Sequence, residues 1–163
     1  MYKQPAMDEE YIEGREFNVA VLQNQTVRAL PVSEIDFSQV PENLPRICSY
    51  EAKWLKDHIM YQTTPPVCPA PIDNSLRDKL QGAAVAAFQA MGCRDYARVD
   101  FRMDKSGNIF VLEVNPNPDI SLDAGYARAL GAAGIDYPSF WSGMLENALE
   151  RKKHYDSLNG KAR

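Results

Sequence analysis

The stretch that decides the fold runs from Tyr96 to Ser121, YARVDFRMDKSGNIFVLEVNPNPDIS. Apolar Ala97, Val99, Phe101 and Met103 alternate with charged Arg98, Asp100, Arg102 and Asp104, which is the two-residue period of a half-buried strand. KSGN follows, with Gly107 placed to supply a positive φ. In the next run Phe110, Leu112 and Val114 point one way and Ile109, Val111, Glu113 and Asn115 the other. The pattern predicts a hairpin. A loop of two residues, Ser106-Gly107, or of four, Lys105 to Asn108, sets one register, with Asp100 opposite Glu113 and Arg98 opposite Asn115. A three- or five-residue loop would break it.

Cross-strand neighbours have Cβ atoms about 5 Å apart, and like charges in that position destabilise a sheet unless something compensates them. A divalent cation is one compensator. Asp100, Glu113 and Asn115 offer hard oxygen ligands suited to Mg²⁺, which takes a few carboxylates and completes its octahedron with water and substrate phosphates. The alternative is that Arg98 and Arg102 neutralise Asp100 on a solvated face.

The 163 residues, 45% hydrophobic and 25% charged, suffice for one domain with a real core. A net charge of −4 with no basic stripe argues against nucleic acid or an anionic membrane as partner. Cys48, Cys68 and Cys93 lack metal or redox spacing and read as buried or incidental thiols of a reducing compartment, the cytoplasm. No signal peptide opens the chain and no apolar run approaches the roughly 18 residues of a membrane span, so neither export nor membrane insertion is expected.

Elsewhere Tyr11 to Leu22 reads as a strand interrupted by Gly14, and QNQ turns it into Thr26 to Ile35. Pro41 and Pro45 make 36–46 a loop, and TTPPVCPAP excludes a regular helix or a central strand over 55–71. Residues 73–91 form the best helix, capped by Asn74 or Ser75, with Ser75 and Asp78 as an approximate capping box and Gly92 as its stop. A helix over 124–133 and another from Asp136 and Pro138 through Leu149 follow. The remainder, 151–163, reads as a basic, fraying tail. His58 and His154 are isolated, and no nucleophilic triad is visible.

ARVDF followed by LEVNPNP resembles the metal-binding hairpin of the ATP-grasp enzymes, in their D-alanine:D-alanine ligase-like branch. EEYIEGREFNVAVL at 9–22, SYEAKW at 49–54 and PAPIDNSLRDKLQGAAVAAFQAMGCRDYARVDF at 69–101 are similar to the same family in the same order. The resemblance implies an α+β fold, an antiparallel sheet with packed helices, as the C-terminal part of an ATP-grasp domain over 1–150. It also implies the cofactors ATP and Mg²⁺, with Mn²⁺ as substitute. Glu9, Tyr11 and Ile12 match the segment that receives the adenine, with main-chain groups of Glu10 to Ile12 at its edge. Glu16 matches the acceptor of the ribose hydroxyls, and Lys53 the ammonium near the phosphates. Asp100, Glu113 and Asn115 would hold the metal, and Arg98 would stabilise the transferred phosphoryl group and the developing oxyanion. The implied reaction joins a carboxylate to an amine through an acyl phosphate. The partners expected are a nucleotide and small carboxylate and amine substrates, with a homo-oligomer or a complementary N-terminal polypeptide left open. Glu16 is expected across a cleft from the hairpin's polar face, with Lys53 between.

Two departures accompany the resemblance. The family's N-terminal substrate domain and the earlier part of its central domain have no counterpart, so the chain reads as truncated, and a non-catalytic nucleotide- or metal-binding fragment or interaction module is the competing reading. PNPDISLDAG also differs from the family's Gly- and Ser-containing substrate loop. Asp119, two residues past Asn117, stands near the place of that Gly, and Trp54 replaces the usual Tyr. Asp119 either favours a substrate presenting an ammonium or hydroxyl or caps the following turn.

Overall fold

Gly14 starts the first long strand for a steric reason: a Cβ there would stand 1.9 Å from the main-chain oxygen of Met103 on the neighbouring strand. The computed structural model describes residues 3–160. Six strands, β1 Gly14–Gln23, β2 Val27–Ala29, β3 Ser33–Ile35, β4 Pro66–Val67, β5 Tyr96–Asp104 and β6 Ile109–Asn115, form one sheet. Its order is β4-β3-β1-β5-β6, with β2 also paired to β1, and every pairing is antiparallel. The helices are α1 Tyr50–Trp54, α2 Ile59–Gln62, α3 Asn74–Ala90, α4 Gly125–Ala132 and α5 Tyr137–Gly160. The α+β antiparallel expectation is met.

Alternation along β1 and β5 sends Phe17, Val19, Val21, Ala97, Val99 and Phe101 to one face. There they pack against Leu80, Ala84 and Phe88 of α3. Burying a side chain of this size contributes about 1.5–3 kcal/mol, so this layer dominates stability. The opposite face carries two smaller clusters. Ala20, Leu22 and Leu30 lie under Tyr126, Ala129, Leu130 and Phe140 of α4 and α5, and Ile35, Phe37 and Val40 pack with Ala52 and Met60. Between them the same face remains polar.

The hairpin has the predicted pairing for a different reason. Its last cross-strand pair is Met103 with Ile109, which leaves the odd-numbered loop that alone would break the register. A β-bulge between Asp100 and Phe101 pairs Phe101 with Val111 and Asp100 with Glu113, so Leu112 is the extra residue and the slip is undone. Gly107, at φ 82°, closes the turn, and the Asp104 carboxylate accepts the N–H groups of Ser106 and Asn108 at 2.8 and 2.9 Å. The simple alternation expected for β6 therefore fails. Val114 and Ile109 join the α3 core, while Phe110 lies beside Arg102 on the polar face.

Other boundaries move for local reasons. The strand expected from Tyr11 begins at Gly14, and 26–35 divides into β2 and β3. Asp73, not Asn74 or Ser75, caps α3 by accepting the N–H of Leu76 at 2.8 Å, and the Ser75/Asp78 box gives way to an Arg77–Asp78 contact. Within 55–71, His58 caps the single turn of α2, and Pro66–Val67 forms the outermost strand of the sheet, where a missing N–H is tolerated. The basic segment does not fray at 151: α5 continues to Gly160. Asn147 donates to the Gln23 carbonyl at 2.8 Å and Arg151 meets Asp95 at 2.6 Å, which pins the middle of α5 to the ends of β1 and β5. Residues 161–163 lie outside the described part. Among the described residues no helix is long and apolar enough to cross a membrane.

Candidate functional site

The polar strip is built by register. Asn18 on β1 pairs with Asp100 on β5, which pairs with Glu113 on β6, and directly paired residues share a face. One step along, Ala20, Arg98 and Asn115 align, and one step back, Glu16 and Arg102. The two carboxylates singled out in the sequence are thus on one face. Asp100 is buried, at 9% exposure, whereas the Glu113 side chain is about half exposed at 53%.

Arg98 compensates them. Its Nε and Nη2 donate to the two Asp100 oxygens at 2.6 and 2.7 Å, and Nη2 stands 3.5 Å from Glu113 Oε1. Burial works against the guanidinium charge, but the bond to Asp100 and the charges of Asp100 and Glu113 prevail and hold its pKa above the ordinary arginine value. The neutralising role given alternatively to Arg98 is therefore present, on a face where Asp100 is mostly buried and Glu113 half exposed.

Arg102 does something the sequence did not announce. It is 3% exposed and turned away from Asp100. Its Nε and Nη2 donate to the Ile12 carbonyl at 3.0 and 2.7 Å, and its Nη1 to the Arg46 carbonyl at 3.0 Å and to Glu16 Oε2 at 3.2 Å. Tyr11 and Phe37 lie against the guanidinium, with ring centroids 5.5 and 5.7 Å from it. One side chain ties the chain before β1, the loop before α1 and the Glu16 carboxylate together.

Glu16 also accepts the Cys48 N–H at 3.2 Å. Burial pushes its carboxyl above the ordinary value of 4.5, outweighing the Cys48 bond and the charges of Arg102 and Lys53. The Cys48 thiol is pushed up to about 11 by burial and the Glu16 charge, so it is no nucleophile. Because the folded pKa of Glu16 lies above the unfolded one, the native state holds extra proton between them, and this contribution to stability falls as pH rises from about 4.5. Urea unfolding at pH 4 and pH 7 should therefore show the difference between wild type and Glu16→Gln shifting in favour of the variant at the higher pH.

Glu9, Glu10 and Tyr11 lie in exposed chain before β1, and the Ile12 carbonyl is already engaged by Arg102. Lys53 is exposed on α1, and its charge is felt at Glu16. Glu16 is not across a cleft from the hairpin. It lies in the same sheet, on the same face as Glu113, so it forms the floor of the strip with Asp100. Asn115 Oδ1 accepts the Asn117 N–H at 2.9 Å, which bends the chain out of β6. Asp119 Oδ1 accepts from Ser121 N at 2.9 Å and Ser121 Oγ at 2.7 Å, and those bonds, with the charge of Arg98, hold its carboxyl below the usual range. Asp119 caps its own turn. Asn18 was missed, although EFNV sets it two residues past Glu16 and hence on the same face.

Among the described residues no three His, Cys, Asp or Glu side chains converge. The strip thus offers two carboxylates and an amide, which fits Mg²⁺ carried in with substrate phosphates and not a protein-only metal cage. A cavity of about 520 Å³, lined by Arg15, Glu34, Phe37, Arg46 and Lys105 among others, borders the Arg15–Glu34 pair, which lies on the α3 face, and reaches Phe37 and Arg46 beside Arg102.

The family described as D-ala D-ala ligase C-terminus matches residues 1–146, most of the chain. The protein belongs to this family. It is 43% identical over 150 residues to the uncharacterized protein y4sG of Sinorhizobium fredii, covering 92% of this chain and 43% of that protein. It is 35% identical over 147 residues to the D-alanine--D-alanine ligase of Desulfotalea psychrophila, covering 90% and 43%. The D-alanine-D-alanine ligase structure from Coxiella burnetii superposes with a TM-score of 0.71 at 23% identity, over 92% of this chain and 36% of that one. The chain thus spans less than half the length of these relatives, and the part of the D-Ala-D-Ala ligase-like ATP-grasp fold it represents is the C-terminal one.

Proposed function

We propose that this D-Ala-D-Ala ligase-like chain, built as the C-terminal part of the fold, acts as an ATP- and Mg²⁺-dependent carboxylate–amine ligase that works through an acyl phosphate. The observation that carries the reading is the register Asn18–Asp100–Glu113 with Arg98 bridging both carboxylates, on the face that also holds Glu16. Glu16 would take the ribose hydroxyls, the chain from Glu9 to Ile12 the adenine, and Lys53 the phosphates. Asp100, Glu113 and Asn115 would hold Mg²⁺, or Mn²⁺ in its place, which when bound neutralises phosphate charge. Arg98, already preorganised by Asp100, would face the transferred phosphoryl group and the oxyanion, where a fixed donor lowers the barrier without reorganising. Asn117 and Asp119 would shape the loop at the substrate end. A cytoplasmic location accords with such chemistry.

The second reading is a nucleotide- and metal-binding module that needs another polypeptide for turnover, favoured by the share of its relatives that the chain spans. One experiment separates the two. Thermal unfolding should rise on adding a non-hydrolysable ATP analogue with Mg²⁺ under either reading, whereas amine-dependent phosphate release from ATP by this chain alone occurs only under the first. No thermal response to nucleotide and Mg²⁺ would overturn both.

A further inference from the structure

We infer that α5 is a self-association surface, on which a second copy of this chain docks its own α5 in antiparallel orientation. The helix meets the body of the domain along one stripe. Phe140 is buried, Met144 packs into the same cluster, the Asn147 amide donates to the Gln23 carbonyl, and Arg151 pairs with Asp95. The neighbouring stripe is as apolar but uncovered: Trp141, Leu145, Leu149, Tyr155 and Leu158 are between 44% and 65% exposed. The Trp141 ring is nevertheless held, edge-on to Tyr137 and Phe140 at centroid distances of 5.9 and 5.2 Å. A fixed aromatic beside aliphatic neighbours suits an interface anchor, since little side-chain freedom is lost on docking.

Contiguous apolar surface of this kind marks an interaction site, and the charges along it select the occupant. Glu146 and Glu150 precede Lys152 and Lys153 on the exposed helix, and none of the ion pairs among the described residues includes any of the four. An antiparallel copy with Glu146 opposite the partner's Lys153 forms that pair twice, by the twofold symmetry of such an interface. The same register sets Leu145 beside the partner's Tyr155 and Trp141 opposite the partner's Leu158. There Tyr155, Leu158 and Arg94 border a groove of about 690 Å³ that can receive the indole. Asp156 falls opposite Ser142 and Gly143, which carry no charge. A parallel copy in register would instead set Glu on Glu and Lys on Lys. One helix pair lies at the small end of specific interfaces, so the dimer should dissociate at roughly micromolar concentration.

The test is sedimentation equilibrium of the full chain from about 1 to 300 μM. Wild type should pass from monomer to dimer over this range. Leu145→Asp, at an exposed position, should weaken association by about tenfold or more with thermal unfolding unchanged. Glu146→Lys sets Lys on Lys and Lys153→Glu sets Glu on Glu, so each variant alone should also associate about tenfold more weakly. Mixed together, the two regain both opposite-charge pairs and should form a heterodimer about as tight as the wild-type dimer. Misfolding cannot give that rescue. The inference falls if wild type stays monomeric at about 300 μM, which leaves the face to a different polypeptide. It falls equally if the dimer survives Leu145→Asp, or if the mixed charge variants fail to associate.

Discussion

Arg102→Ala is expected to destabilise the domain by about 3–5 kcal/mol, the cost of breaking a buried ion pair from one side. Three separate segments depend on this guanidinium. Its removal leaves the carbonyls of Ile12 and Arg46 without their donor and Glu16 with a buried charge supported by the Cys48 N–H. Against a typical total stability of 5–15 kcal/mol such a loss is large. Arg102→Lys should lose less, because an ammonium keeps the charge but cannot span three acceptors as a fork does. Urea denaturation of both variants, with Glu16→Gln/Arg102→Ala as the double variant, gives the coupling. A cost below about 1 kcal/mol for Arg102→Ala would mean that the three segments hold their positions without it.

Asp100→Asn should have the second large effect, this time on function. The substitution is nearly isosteric, so the strand should form, but Arg98 loses its bidentate anion and the proposed metal ligands lose one of their two carboxylates. Loss of a preorganised electrostatic contact of this kind costs about 10²–10³ in rate, and the Mg²⁺-dependent part of nucleotide stabilisation should disappear as well. Glu113→Gln should do less to the fold, since that side chain is half exposed. Calorimetric titration of a nucleotide analogue with and without Mg²⁺ reads the outcome directly. If Asp100→Asn retains the full Mg²⁺ response, the metal does not sit between these strands.

Much of this is legible in the sequence, because the relevant signals are local. Strand alternation in 97–104, the positive φ of Gly107 and the amphipathic run of α3 each follow from sterics and burial within a few residues. Capping was read only to within a residue or two, since Asp73, Asn74 and Ser75 are all good caps and the extended conformation of Asp73 decides among them. The charges of the tail suggest solvent, but Arg151, with Asn147 one turn earlier on α5, reaches partners far away in sequence.

By itself the sequence determined that one hairpin would carry Asp100, Glu113 and Arg98, since residue period and turn chemistry act over short range. Only the tertiary structure decided how they are aligned and what surrounds them. An odd-numbered loop and a bulge offset one another to restore the register, a balance no local pattern specifies. The pairing of β1 with β5 brought Glu16 and Asn18 beside the hairpin, and it turned Arg102 from a neutraliser of Asp100 into the buried tie among Ile12, Arg46 and Glu16. Burial then set which charges must be paired, because a charge in the interior costs far more than the same charge in water.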